Sequence, residues 1–138
     1  MKSFVFSILL VLPMSVFAGD VNDEAGSAAT AAATAWLSLT DKGQFEASWD
    51  SAAPYFQAAV TKSDWERSLN AARAPLGETL SREVASSRVS TTLPGAPDGE
   101  YVVVGFSTSF ANKMRATETV TTMRGDDGNW RVAGYFIR

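Results

Sequence analysis

The stretch Val102-Val103-Val104-Gly105-Phe106-Ser107-Thr108-Ser109-Phe110 decides the fold. Side chains of an extended chain alternate with a period of two. Val102, Val104, Phe106, Thr108 and Phe110 therefore share one face, and Val103, Gly105, Ser107 and Ser109 share the other. Upstream, Arg82, Val84, Ser86 and Arg88 alternate with Glu83, Ala85, Ser87 and Val89. Downstream, residues 115–124 are rich in Thr, with Val120 and Met123. Trp130, Val132, Gly134 and Phe136 then alternate with Arg131, Ala133, Tyr135 and Ile137. This enrichment in β-branched and aromatic residues predicts four strands. The links are short: Leu93 to Gly99, Ala111 to Lys113, and the hairpin signal Asp126-Asp127-Gly128-Asn129. Short links join antiparallel neighbours, so the strands form a meander.

Working outward, the chain before residue 80 changes to a helical period. Ala28, Ala32, Ala35/Trp36 and Leu39 recur at 3.6 spacing, and Asp41-Lys42-Gly43 ends that helix with a glycine suited to the C′ position. A second helical stretch over 44–60 contains Pro54, which lacks an amide hydrogen and breaks it into a short turn near Phe45–Trp49 and a helix from Ala53. A third helix opens near Thr61 and Ser63. Ser63-x-x-Glu66 has the spacing of a capping box, Trp65, Leu69 and Ala72 share a face, and Pro75-Leu76-Gly77 closes the helix. Helices followed by an antiparallel sheet make an α+β domain, with about three N-terminal helices on one face of a four-stranded meander.

Residues 1–18 read as a cleavable secretory signal peptide. Lys2 supplies the positive start, an uncharged apolar run follows, and Val16-Phe17-Ala18 sets up cleavage after Ala18. The apolar run is shorter than the roughly 20 residues that span a bilayer. Residues 19–27 are expected to be a flexible leader, and 28–138 the domain. Localisation is therefore expected to be periplasmic or secreted, with no membrane span after cleavage.

Removing the first 18 of 138 residues leaves 120, enough for one domain. Losing Lys2 takes the net charge from −3 to −4, which disfavours nucleic-acid binding. The chain has no Cys and no His. Disulfides, a Ser-His-Asp triad, a Cys nucleophile and Cys/His zinc sites are therefore impossible. No cofactor is expected. Any hydrolysis or isomerisation would have to use carboxylates, Tyr or Lys.

Several motifs resemble the bacterial exported family catalogued as domain of unknown function 4019. They are Trp36-x-x-Leu39-x-Asp41-x-Gly43 with Ser48-Trp49, Trp65 followed by Arg73-x-Pro75-Leu76-Gly77 and Arg82, and the run from Leu93 to Val104. Phe106-x-Thr108-x-Phe110, Glu118-Thr119-Val120 and Gly128-x-Trp130 through Tyr135 complete the pattern. The resemblance implies an exported bacterial domain and no particular activity. The layout is also similar to cystatin-like folds and to the cone-shaped folds of nuclear transport factor 2 relatives. It lacks the strand pair that larger cones insert between their helices.

Glu118 is the sharpest candidate for chemistry. It shares a strand face with Ala116 and Val120. Facing the helices, it would need a partner or would serve as a general base with a Tyr as acid. The plainer reading is an ion pair with Arg82, Arg88 or Arg131. Asp41, Glu46 and Asp50 cluster near the first helix junction but lack the ligand spacing of a calcium loop, so solvated turns are expected. Trp49, Trp65, Tyr101 and Tyr135 are candidate ligand-binding residues, with core packing as the alternative. The Leu93–Gly99 loop is a candidate contact segment.

The leading expectation is a non-catalytic binding or interaction module for an envelope protein, peptide or glycan. The alternative is a small pocket enzyme of isomerase or hydrolase type with Glu118 as base. A protease-inhibitor-like role follows only from the cystatin-like layout.

Overall fold

The structure is a computed structural model that describes residues 21–138. The expected signal peptide lies outside the described residues, as do Gly19 and Asp20. In chain order the elements are α1 (Val21–Asp41), α2 (Phe45–Asp50), α3 (Pro54–Ala59), α4 (Lys62–Arg73), a 3-10 turn (Ala74–Leu76), β1 (Thr79–Ser90), β2 (Tyr101–Phe110), β3 (Lys113–Arg124) and β4 (Trp130–Ile137). The four strands lie in the order β1-β2-β3-β4, all pairs antiparallel. The α+β layout and the meander are as expected from the alternation.

The helices follow local chemistry, with three departures from the sequence reading. First, α1 starts at Val21 rather than near Ala28. Ala25 and Ala28 are strong helix formers, and Gly26 lets the helix pass β1 so closely that a Cβ there would meet Ser87 Oγ at 3.4 Å. Second, its buried stripe is Ala29, Ala33, Trp36, Leu37 and Thr40; of the expected Ala28, Ala32, Ala35/Trp36 and Leu39 face, Trp36 is the buried member. In a run that is mostly Ala, every face is equally apolar, so periodicity cannot choose. Third, the N-cap of α4 is Thr61, whose Oγ1 accepts from the Asp64 amide at 3.2 Å. Ser63-x-x-Glu66 therefore lies inside the helix rather than at its start.

The helix ends match the chemistry of their residues. Gly43 has φ 71°, and the Gln44 and Gly43 amides donate to the carbonyls of Leu39 and Thr40. This is the left-handed C-terminal motif that glycine permits. Pro54 occupies the first turn of α3, where its missing N–H costs nothing.

Bulges set which side chains the sheet buries. Register shifts in β1 pass over Leu80 and Ala85. Between Thr121↔Gly134 and Thr122↔Val132, β4 carries one extra residue, Ala133. That residue reverses the phase of β4, so Tyr135 shares the inner face with Val120 while Phe136 turns out and is 47% exposed. A strict alternation through β4 would have placed Tyr135 and Phe136 the other way round. The core joins Ala29, Ala33, Trp36, Leu37, Phe56, Trp65 and Leu69 of the helices to Val102, Val104, Phe106, Val120 and Val132 of the sheet.

Candidate functional site

The inner face of the sheet carries a buried polar network at the junction of α1, α4 and the strands. Glu118 on β3 is 0% exposed. Its Oε1 accepts from Arg82 Nε at 2.7 Å and from Thr108 Oγ1 at 2.6 Å, and its Oε2 accepts from the Tyr135 hydroxyl. Arg73 Nη1 lies 3.9 Å from the same Oε2. Arg82 also forks onto Asp41, with Nη1 and Nη2 at 2.7 and 2.9 Å from its two carboxylate oxygens. Arg73, only 7% exposed, donates through Nη2 to Asp41 at 2.8 Å and to Thr79 Oγ1 at 3.0 Å, and through Nη1 to Thr40 Oγ1 at 2.8 Å. Its guanidinium sits 5.0 Å from the Phe110 ring centre. Of the three arginines the sequence offered to Glu118, Arg82 is the one that pairs with it. Arg88 and Arg131 lie opposite Val103 and Met123, on the outer face.

The electrostatics describe a closed, charge-balanced group. Burial opposes the charge on Asp41, but hydrogen bonds from Arg82 and Arg73 outweigh it and hold the carboxyl at about 2. Burial likewise opposes charge on Arg82, and its bonds to Asp41 and Glu118 prevail and raise its pKa. The Tyr135 hydroxyl is pushed far above the usual tyrosine range, first by burial and then by the Glu118 charge. It stays a proton donor to Glu118. Two carboxylates and two guanidiniums thus pair with one another, with Arg73 Nε left as a buried donor without a partner, and Glu118 has no exposed surface.

The remaining expected site residues separate. Trp65 and Tyr135 meet along a groove of about 540 Å³ between α4 and the end of β4, with Leu69, Leu76, Ile137 and Lys113. The Trp65 indole donates to Ser48 Oγ at 2.9 Å, and Trp36 donates to the Ser48 carbonyl at 2.8 Å. Ser48 is a buried hub that sequence reading missed. Trp49 donates to the Val60 carbonyl at 2.9 Å, and Lys62 Nζ lies 5.4 Å from its ring centre. Tyr101 is buried and donates to the Pro97 carbonyl, tying down the Leu93–Gly99 loop. The Asp41, Glu46 and Asp50 cluster disperses. Asp41 joins the arginines, Asp50 pairs with Lys62 at 2.7 Å, and Glu46 faces Glu66 across a groove between α2 and α4. Burial and then the Glu46 hydrogen bond raise the Glu66 carboxyl above its usual range. Among the described residues no three acidic side chains converge tightly enough to hold a metal ion.

Among the described residues no helix covers the outer face of the sheet. Its transverse rows run Glu83–Ser107–Thr117, ending beside Arg138, and Ser86–Gly105–Thr119–Phe136. A Cβ at Gly105 would lie 2.5 Å from Ser86 Oγ, so any side chain there would force the Ser86 hydroxyl to turn away. A groove of about 510 Å³ on this face is lined by Ser81, Ser107, Ser109, Thr117, Arg115 and Arg138, with Glu83 at its edge. Among the described residues Arg88, Arg115 and Arg138 make no ion pair.

A family described as "Protein of unknown function (DUF4019)" matches residues 32–135. The chain belongs to this family. The match takes in the helical half and the sheet, so the Asp41–Arg73–Arg82–Glu118–Tyr135 network lies within the DUF4019 domain. A 2.5 Å structure from Catenulispora acidiphila is similar at a TM-score of 0.53 and 13% identity, over 81% of this chain and 88% of that one. That likeness bears on the fold alone. Comparison with curated proteins found no match. No helix among the described residues is long and apolar enough to cross a membrane.

Proposed function

We propose that this DUF4019 domain is a non-catalytic binding module that works in the periplasm or outside the cell and presents the helix-free face of its sheet to a partner. The observation that carries this reading is the contrast between the two faces. On the inner face Glu118, the one fully buried carboxylate among the described residues, accepts from Arg82, Thr108 and Tyr135. On the outer face Arg115 and Arg138 line a groove with several hydroxyls, and among the described residues neither arginine makes an ion pair. A general base needs a path to a substrate proton, within hydrogen-bond reach or through one water. Glu118 has neither exposed surface nor an unused oxygen. Export is supported by the residue order of 1–18, and the layout supports a reduced cone-like or cystatin-like comparison at the level of shape only.

The test uses envelope extract passed over the immobilised protein, with the Arg115→Glu/Arg138→Glu variant beside it. The expected outcome is a component retained by the wild type and lost by the variant, while Glu118→Gln still retains it. Retention that depends on Glu118 and not on the outer arginines would overturn the reading.

A further inference from the structure

We infer that the outer-face groove binds a carboxylate-bearing sugar chain, an acidic glycan of the uronic-acid type. This rests on the binding-module reading and names its ligand class. Three features of the groove point to that chemistry.

Its floor and walls are hydroxyl-bearing. Ser107 and Thr117 are direct cross-strand neighbours at strand spacing, and Ser81 stands one row along, opposite Ser109. A hydroxyl both donates and accepts, which suits a polyol whose own hydroxyls do the same. Ser109 already donates to the Met114 carbonyl at 2.7 Å and so offers its lone pairs only.

Its side-chain charge is mixed. Arg115 and Arg138 bring two cations and Glu83 one anion. A guanidinium fork matches a carboxylate in a bidentate manner. Glu83 would accept from sugar hydroxyls, and it would repel a densely charged phosphate backbone. Two guanidiniums interrupted by the Glu83 carboxylate, in a chain of formal net charge −3, complement widely spaced single carboxylates better than a polyphosphate.

One cation is held in place before the ligand arrives. The Arg138 guanidinium lies 5.3 Å from the Phe136 ring centre, and the β4 bulge is what turns Phe136 outward to make that contact. Less side-chain freedom is then lost on binding. Neither arginine has an ion pair to break among the described residues.

The experiment is titration of the purified protein with trigalacturonate, followed by amide chemical shifts and calorimetry, with maltotriose and triglutamate as parallel probes. Expected are shifts confined to Ser81, Ser107, Ser109, Thr117 and their neighbours. Affinity should fall about tenfold for Arg115→Ala and for Arg138→Ala, the scale of one lost charge-assisted bond. Thr117→Val should lower it about threefold by removing one neutral hydrogen bond. Glu118→Gln, if folded, should bind as the wild type does. The ligand class is overturned by absence of shifts at millimolar trigalacturonate, by equal binding of triglutamate, or by Arg115→Ala binding unchanged. If trigalacturonate fails while an envelope component is still retained through Arg115 and Arg138, the glycan assignment falls and the binding-module reading stands.

Discussion

Glu118 shows how one residue's role depends on partners far away in sequence. Removing it leaves Arg82 and Arg73 buried with one carboxylate between them. Loss of one member of a buried pair costs about 3–5 kcal/mol. Glu118→Ala should therefore lower unfolding free energy by about that amount in urea titration. Asp41 adds a pH dependence whose sign follows from its depressed pKa. Its carboxyl ionises at about 2 when folded and at 3.8 when free. Its stabilisation is therefore complete above the free value and disappears as pH falls through the folded one. Stability should decline between about pH 4 and pH 2, and Asp41→Asn should flatten that decline as well as lower the plateau. Thermal melts from pH 6 to pH 2 read both. For Asp41 this corrects the solvated turn expected from sequence. Asp41 sits in the last turn of α1, where the helix dipole disfavours a negative charge and no basic residue is present. An acid there signals an external cation, but nothing local says that the cations are Arg73 and Arg82. Ser48 carried no signal at all. A serine in a short helix looks solvated until two tryptophans converge on it.

At the scale of elements, strands were more legible than helices because their period is shorter and their residues more distinctive. The alternation from Val102 to Phe110 holds without interruption through β2. The helix caps were harder, since Thr61 and Ser63 both offer a hydroxyl before the same apolar run. The structure selects Thr61. Thr61→Ala should cost about 1 kcal/mol of stability and Ser63→Ala should stay within a few tenths, measured by chemical denaturation. Bulges escaped the sequence reading altogether. Ala133 changes the facing of everything after it, yet it is an ordinary strand residue, and only the pairing of β4 with β3 identifies it as the extra one. Gly77 is an element-scale constraint of another kind. With φ 74°, and with Asn112 Nδ2 and Ala111 Cβ at 3.1 and 3.2 Å from where a Cβ would stand, it allows no side chain. Gly77→Ala should destabilise by about 1 kcal/mol or more, because strain at positive φ adds to the contact.

In the whole molecule, the polar network ties together α1, α4 and strands β1 to β4. Helix layer and sheet should therefore unfold together. Tryptophan fluorescence, reporting chiefly on the helices, and far-ultraviolet circular dichroism should give coincident urea transitions, and Glu118→Ala should move both by the same amount. A transition split between the two probes would show that the layers are independent. The proposed export is also tested on the whole chain. Mass spectrometry of the protein recovered outside the cytoplasm should find Gly19 as the first residue, as expected from the Val16-Phe17-Ala18 order.

The sequence by itself determined the fold class and the excluded chemistries. Both depend on local facts: a period of two against a period of 3.6, and the absence of Cys and His. The tertiary structure alone decided which face of α1 is buried, which arginine meets Glu118, that Tyr135 faces inward, and that Arg115 and Arg138 share a groove. Each of these depends on register and on bulges. One inserted residue reverses every side chain that follows it in a strand, at no visible cost in composition. The site candidates named from sequence were therefore sorted by strand pairing: Glu118 and Tyr135 went into a closed network, Tyr101 and Trp49 into packing, and the open chemistry fell to hydroxyls and arginines of the opposite face.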